Sequence, residues 1–323
     1  MNFLYTLDNS YFPQLAISIH SLICNTSEKL NIYIVCVGLS NDDKRKLLEF
    51  ENSKVEIIFL APPKVPKKLV PDRGSSSQYF RLFIGKIFKG IDIGEVIYLD
   101  CDTLIQSNGI DDLKKFNFKG QLLGACLDPW SKEYRLLLHL EGTTKMLNSG
   151  VLVINVIEWK KRKIDTIFEK IIDDRTHFIQ GDQGLLDEVI NGNFIVLDPK
   201  FNAISSYFEM SYRELMIFRK PEYFYGFEDV QKAKRNPIIV HFTSSFINKR
   251  PWESFDSTLY GSLWKREYFE LFNKKIKIYE QHYSIFQKTF DLLPRRLSIS
   301  LLGFIQCTLR PIKLYLCEKL KKA

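Results

Sequence analysis

Two carboxylates one residue apart at the end of an apolar run are the sharpest chemical feature of this sequence. Val96-Ile97-Tyr98-Leu99 leads into Asp100-Cys101-Asp102-Thr103-Leu104. An extended apolar run delivers both acids to a strand end, where both can face one point. Hard oxygen ligands so arranged suit Mg²⁺ or Mn²⁺, and a cation held there would neutralise a phosphate. A solvated acidic turn capping a strand has the same sequence, so the pair alone decides nothing. Val240-His241 ends a second apolar run, and an imidazole added to two carboxylates favours Mn²⁺ over Mg²⁺. A purely structural histidine is the competing reading. Lys249 and Arg250 precede Pro251-Trp252. Either can reach a phosphate, Arg with its fork of donors, or both are solvated charges before a turn. Asn148-Ser149-Gly150 enters a strand with two hydrogen-bonding side chains and a residue that permits close ligand approach. Gly181-Asp182-Gln183-Gly184 precedes a helix, where plain N-capping by Asp182 is the alternative.

These residues need elements to position them, and the pattern supplies an alternation of strands and helices. Strands are expected over Phe3–Leu7, Asn31–Val37, Val55–Leu60 and Glu95–Leu99, and later over Gln121–Leu127, Gly150–Asn155 and Pro237–His241. A helix is expected from Tyr11 to Ile23, and Ser40 opens another with Asp43 in capping-box position. Ser77 is read as the cap of a helix through Tyr79, Arg81 and Phe83, and the aromatic-rich stretch from Phe201 to Gly226 as an irregular loop. Continuous apolar strands in a βαβα rhythm imply a parallel sheet covered on both faces, with ligands at the carboxyl edges of its strands. Asp8 and Asp100 both fall at such edges.

Charge separates the chain into two parts. Lys and Arg number 46 against 38 Asp and Glu, a formal excess of +8. The whole excess lies in the last 53 residues, with eleven basic and three acidic side chains from Leu271 onward. A neutral body with a basic tail is not a uniformly basic nucleic-acid binder, and no nucleic-acid partner is expected. With 45% hydrophobic and 26% charged residues the composition is globular, which excludes a disordered or fibrous chain. Six scattered cysteines with no zinc spacing point to free thiols in a reducing compartment. The N-terminal apolar run is too short for a signal peptide, and no uninterrupted apolar run reaches membrane-spanning length. A cytoplasmic location is the expectation.

Taken in chain order, the motifs resemble glycosyltransferase family 8, the retaining galactosyl- and glucosyltransferases of bacterial lipopolysaccharide synthesis and their relatives, including glycogenin. They are Tyr5-Thr6-Leu7-Asp8-Asn9, Ser77-Gln78-Tyr79-Phe80-Arg81-Leu82, Tyr98-Leu99-Asp100-Cys101-Asp102, Asn148-Ser149-Gly150-Val151, Gly181-Asp182-Gln183-Gly184 and His241 to Trp252. The resemblance covers residues 1–255 and implies an α/β GT-A fold, with Mn²⁺ (or Mg²⁺) held by Asp100, Asp102 and His241. It further implies that Asp8 contacts uracil, that Thr6 and Asn9 line the nucleoside pocket and that Arg81 approaches the donor. Cys101 and Ser149 fall inside donor-binding motifs. Asn148 and Asp182, with Asp128, would bond the transferred sugar, and Gln183 would lie nearest the β-face of the anomeric carbon. The departures are a longer segment after His241, Ser244-Ser245 where the family has glycine, and Arg250 in place of the diphosphate-binding lysine, with Lys249 beside it.

The implied partners are a UDP-hexose donor and a glycan or lipid-linked acceptor, with retention by front-face displacement. Two other readings compete. Leu99 to Leu104 also fits a haloacid-dehalogenase phosphatase, but three strands precede it and Asp8, Asn148 and His241 stay unexplained. A dead nucleotide-sugar-binding protein is the other, against which the full Asp100, Asp102 and His241 set argues. Residues 256–323 are expected to form a helical, basic membrane-associating region. Apolar residues from Leu297 to Leu316 lie between Arg295-Arg296 and Lys319–Lys322, and Pro311 is expected to break them into two short helices. That profile suits an interfacial segment on an anionic leaflet, and a helical pair packed on the body is the alternative.

Overall fold

A computed structural model describes residues 1–69, 75–175, 178–243, 250–253, 258–278 and 292–322, with side chains through Cys317. Ten strands are seen: β1 Asn2–Asp8, β2 Leu30–Val37, β3 Val55–Leu60, β4 Glu95–Leu99, β5 Thr103–Ile105, β6 Leu123–Leu127, β7 Leu147–Asn155, β8 Ile195–Val196, β9 Ala203–Ile204 and β10 Ile239–His241. Seven of them make one sheet in the order β3-β2-β1-β4-β7-β6-β8, and β5-β10-β9 make a second. In β1, β4 and β7 nearly every residue is buried, as expected of strands covered on both faces. Helices Phe12–Cys24 and Ile164–Asp174 help to cover them, burying Leu15, Ile19 and Leu22 from the first and Phe168 and Ile172 from the second.

The expected all-parallel sheet is corrected at one strand. β1, β2, β3 and β4 run parallel, but β7 is antiparallel to both β4 and β6. An apolar strand buried on both faces has the same composition in either direction, so its pattern carries no direction. The reversal has a chemical consequence. β7 starts, rather than ends, at the ligand edge, and brings Asn148-Ser149-Gly150 beside Asp100, whose N–H donates to Gly150 O at 2.8 Å.

The small sheet completes that edge. β10 pairs antiparallel with β5, setting His241 opposite Thr103, the residue after Asp102. The histidine therefore reaches the carboxylates through strand pairing across more than a hundred residues of chain.

Other local expectations divide. Ser40 caps Asn41–Leu48, accepting from the Asp43 N–H. Ser77 does not cap its segment: Ser75 does, accepting from the Ser77 N–H, and Ser76–Leu82 is a 3₁₀ helix. The stretch from Phe201 to Gly226 is not an irregular loop. It holds β9 and the helices Ser205–Glu209 and Tyr212–Arg219, the second with a reciprocal capping box between Ser211 and Glu214.

The C-terminal segment is one continuous helical run, not two helices broken at Pro311. Arg295–Phe304 continues through a π turn, Ile305–Leu309, into Arg310–Lys322. The wide turn accommodates the missing Pro311 N–H without ending the helix. One side packs on the body. A Cβ on Gly303 would lie 2.4 Å from Ile217 O, Ile299 and Leu302 are buried, and Cys307 Sγ donates to the Phe218 and Arg219 carbonyls. Leu297, Leu301, Phe304, Leu309, Ile312 and Leu316 remain exposed, spaced three to five residues apart as one stripe. Arg295–Cys317 is long and apolar enough to cross a membrane by length and composition, with about a third of it buried on the protein. All six cysteines are free thiols.

Candidate active site

A cavity of about 660 Å³ opens along the edge where β1 and β4 end. Of the expected site residues, Thr6, Asp8, Arg81, Asp100, Cys101, Asp102, Ser149, Asp182, Gln183 and Arg250 line it. His241, Asn148 and Asp128 are buried and act on it through their hydrogen bonds. Asn9 is the exception. It is exposed, its side chain is 3.5 Å from a Cβ added at Gly38, and it is not among the cavity-lining residues. Lys249 and Ser244-Ser245 lie outside the described residues.

At one end Thr6 Oγ1 bonds the Tyr98 hydroxyl at 3.2 Å and Ser77 O at 3.5 Å. Asp8 accepts from the N–H and hydroxyl of Ser10. Its burial would raise the carboxyl pKa, but the hydroxyls of Ser10, Ser75 and Ser77 hold it below the usual value.

At the centre Asp100, Asp102 and His241 place three ligand atoms within 4.8 Å of one another. Each carboxylate divides its oxygens. Asp100 Oδ1 takes Arg81 at 2.7 Å and the Tyr98 hydroxyl at 2.8 Å, while Oδ2 faces His241 Nε2 at 3.7 Å. Asp102 Oδ2 takes Arg250 at 3.1 Å, and Oδ1 faces the same nitrogen at 3.2 Å. Burial would raise Asp102, but His241, Arg250 and Arg81 pull it well below an ordinary carboxyl. Burial would likewise lower His241, and the Asp102 and Asp100 charges push it above 6.5 instead.

The imidazole is oriented by residues behind it. Asn148 Nδ2 donates to Asp128 at 2.8 Å, which turns its carbonyl towards Asn202 Nδ2, also at 2.8 Å. That in turn points Asn202 Oδ1 at His241 Nδ1, 2.9 Å away. A carboxylate only accepts, so the whole chain of amides is oriented from Asp128 outward. Nδ1 carries a proton, so Nε2 is the nitrogen that faces the two carboxylates, and in the neutral ring it presents its lone pair to the same point. Three converging lone pairs of this hard-oxygen and imidazole type suit a divalent cation. Gly150 keeps the space clear: a Cβ there would come within 2.2 Å of His241 Cε1 and 3.0 Å of Asp100 Oδ2.

Beyond the centre, Arg81 stacks 4.5 Å over the Tyr98 ring and bridges Asp100 to Asp182, its Nε 3.1 Å from Asp182 Oδ2. Asp182 is not a helix cap. Gln180 and Gly181 both have positive φ, and Asp182 follows inside the first turn of Gly181–Ile190. Burial raises Asp182, with Arg81 opposing. Gln183 is held at both ends, accepting from the Ser149 N–H and donating to Asp128, each at 3.3 Å. Burial also raises Asp128.

The fold and site belong to a known class. The chain superposes on the galactosyltransferase LgtC, solved with donor and acceptor sugar analogues, with a TM-score of 0.67 at 17% identity over 84% of this chain and 96% of that one. The fold is the GT-A fold. The model of the glycosyl transferase family 8 matches residues 2–256, and the chain belongs to that family. A putative glycosyltransferase of Haemophilus influenzae is 29% identical over 62% of this chain, which spans 63% of that protein's length. A lipopolysaccharide 1,2-glucosyltransferase of Escherichia coli is 23% identical over 80% of this chain and 76% of its own length. Membership leaves no place for the phosphatase reading of Leu99–Leu104.

Proposed function

We propose that the protein transfers a hexose, galactose or glucose, from a UDP-sugar to a glycan or lipid-linked acceptor in bacterial surface polysaccharide synthesis, with retention and with Mn²⁺ as cofactor. The observation that carries this reading is the Asp100–Asp102–His241 triad, set between two arginines inside the cavity of a family 8 fold. Residues 1–255 would be the catalytic unit. Thr6 and Asp8 would bind the nucleoside, and Arg81, Cys101, Ser149 and Arg250 the donor diphosphate and sugar. Asn9 fits this role less well than its motif implies, because it is turned away from the cavity.

Charge supports a diphosphate. Arg81 and Arg250 face Asp100, Asp102 and Asp182, a balance that accepts a dication and, with it, an anionic substrate. A divalent cation bound to the triad would stabilise the leaving diphosphate as a Lewis acid. Arg250, its Nε fixed on Phe242 O at 3.1 Å, would add a positive charge to the same oxygens.

Asp182 and Gln183 would hold the transferred sugar, with Asn148 and Asp128 behind them. Neither is free to act as a nucleophile: Asp182 is paired with Arg81, and both ends of the Gln183 amide are bonded. That supports front-face displacement, in which the acceptor hydroxyl attacks on the side the UDP leaves and gives its proton to the departing phosphate.

The exposed apolar stripe of the C-terminal helix, flanked by the basic residues, supports a peripheral location on the inner face of the cell membrane, with residues 256–323 contacting anionic lipid. A donor screen tests the activity: each common UDP-sugar with Mn²⁺, reading UDP release. Release from UDP-galactose or UDP-glucose alone is the expected result, and no release from any UDP-sugar would overturn the reading.

A further inference from the structure

The cavity extends past the proposed sugar position to a second group of residues, Trp130, Phe178, Ile179, Gln180, Arg310 and Leu314. Their contacts separate them from the nucleoside end. Thr6 and Asp8 bond to the Ser75–Ser77 segment. Trp130 instead follows Asp128 and packs against Tyr134 with ring centres 4.5 Å apart and the rings tilted by 56°, and Ile179 and Leu314 pack on the same cluster. Gln180 lies two residues before Asp182. This group therefore adjoins the residues proposed to hold the transferred sugar.

Its chemistry is that of a saccharide site with one unbalanced charge. Leu314 offers an apolar surface of the kind that packs on the C–H face of a sugar, and Trp130, held against Tyr134 and under the Arg219 guanidinium at 4.8 Å, lines the cavity with it. The Trp130 Nε1 and Gln180 Nε2 donors have no hydrogen-bond partner among the described residues. Burying an unpaired donor is unfavourable, and a hydroxylated ligand relieves it. The other two cavity guanidiniums, Arg81 and Arg250, are each paired with a carboxylate. No carboxylate among the described residues pairs with Arg310, whose Nη1 donates to Gln306 Oε1 at 3.4 Å. The π turn at Ile305–Leu309 immediately precedes it. The extra residue in that turn rotates the rest of the helix by about 100° relative to an uninterrupted one. Cys307 can thus face the body while Arg310 and Leu314 face the cavity.

We propose that this group forms the acceptor subsite and that Arg310 selects an acceptor saccharide bearing an anionic group, a phosphate or a carboxylate. The proposal rests on the glycosyltransferase reading above. It moves one of the tail's basic residues from membrane targeting to substrate choice.

The test uses the full-length protein with diamagnetic Mg²⁺ and UDP, and titrates glucose 6-phosphate, glucuronate and glucose by saturation-transfer difference NMR, with UDP affinity measured by calorimetry. Wild type is expected to bind at least one anionic sugar about tenfold or more tightly than glucose, as a charge-assisted contact implies, and Arg310→Gln to abolish that preference. Which anionic sugar binds identifies the group recognised. If neither anionic sugar outbinds glucose, or the preference survives in Arg310→Gln, the proposal is overturned. A loss of UDP affinity in Arg310→Gln equal to the loss for the anionic sugar would put the guanidinium on the donor, and also overturns it. Failure of wild type to bind UDP would instead remove the glycosyltransferase reading itself.

Discussion

The centre of the cavity and its far end are built on opposite principles. At the centre the side chains are tied to one another: Asp128, Asn148, Asn202 and His241 form a chain of hydrogen bonds, and His241 faces the two aspartates, which pair in turn with Arg81 and Arg250. At the far end Trp130 and Gln180 bury donors with no partner among the described residues. A fully satisfied network holds its atoms in one geometry, which suits a metal and a leaving group that must be met without rearrangement. Unmet donors mark a surface whose partner arrives with a ligand. The difference separates a preorganised half of the site from one that is completed on binding.

The largest effect should come from removing the centre outright. Asp100→Ala with Asp102→Ala is expected to reduce Mn²⁺-dependent UDP release to background while UDP-independent melting shows a folded protein. Full activity in the double variant would dissolve the distinction between the two halves. Gly150→Ala tests the same point by crowding rather than deletion. Its methyl would sit 2.2 Å from His241 Cε1, so the ring or β7 must move, and calorimetry should show Mn²⁺ affinity reduced by about tenfold or more, as for other disturbances of ligand orientation.

The residues these two variants disturb are the ones most legible in the amino-acid sequence. Asp100, Asp102 and His241 stand out because each lies at the end of an apolar run, a local signal. Asn202 does not, although it orients His241. It lies in a stretch dense in aromatics that reads as loop, and the Ser211-x-x-Glu214 signature a few residues later is the available sign that this region is ordered. The direction of β7 is hidden because burial on both faces erases alternation. The role of Arg310 is hidden for another reason: which way a helical residue points depends on the turn before it, and a π turn shifts every later residue by one position. Charge counting places that arginine with the tail, and only packing sets it against the cavity.

A matched pair of substitutions tests the principle directly. Asn202→Leu removes an amide of the satisfied network: His241 Nδ1 loses its partner, while Asn148 Oδ1 keeps the Gly150 N–H at 3.0 Å. A loss of about 1–3 kcal/mol in stability is expected from one buried group left unpaired, with Mn²⁺ affinity reduced about 10–100-fold. Chemical denaturation and calorimetry check both. A variant as stable as wild type would mean that the network is dispensable.

The titration of His241 gives a smaller effect whose sign changes with the metal. Its pKa in the metal-free fold lies above 6.5, so the imidazolium stabilises the fold below the unfolded value and that contribution is lost as pH rises through the folded one. Metal binding requires the neutral ring, so Mn²⁺ affinity should fall as pH drops through the same window, by up to about tenfold per unit. Melting curves with and without Mn²⁺ from about pH 6 to 8 should therefore diverge with rising pH. Parallel curves would detach His241 from the metal.

The smallest stability change is expected from Gln180→Met, the counterpart of Asn202→Leu at the far end. It removes an amide whose Nε2 has no hydrogen-bond partner among the described residues, keeps nearly the same volume, and leaves a non-glycine residue at the same positive φ of 64°. The change takes away a buried unpaired donor rather than a bond, so stability should stay within about 1 kcal/mol of wild type or rise. A loss approaching that of Asn202→Leu would show that Gln180 belongs to the rigid half after all. It would then place the boundary between the preorganised and the ligand-completed parts of the cavity beyond Asp182, at Trp130 and the C-terminal helix.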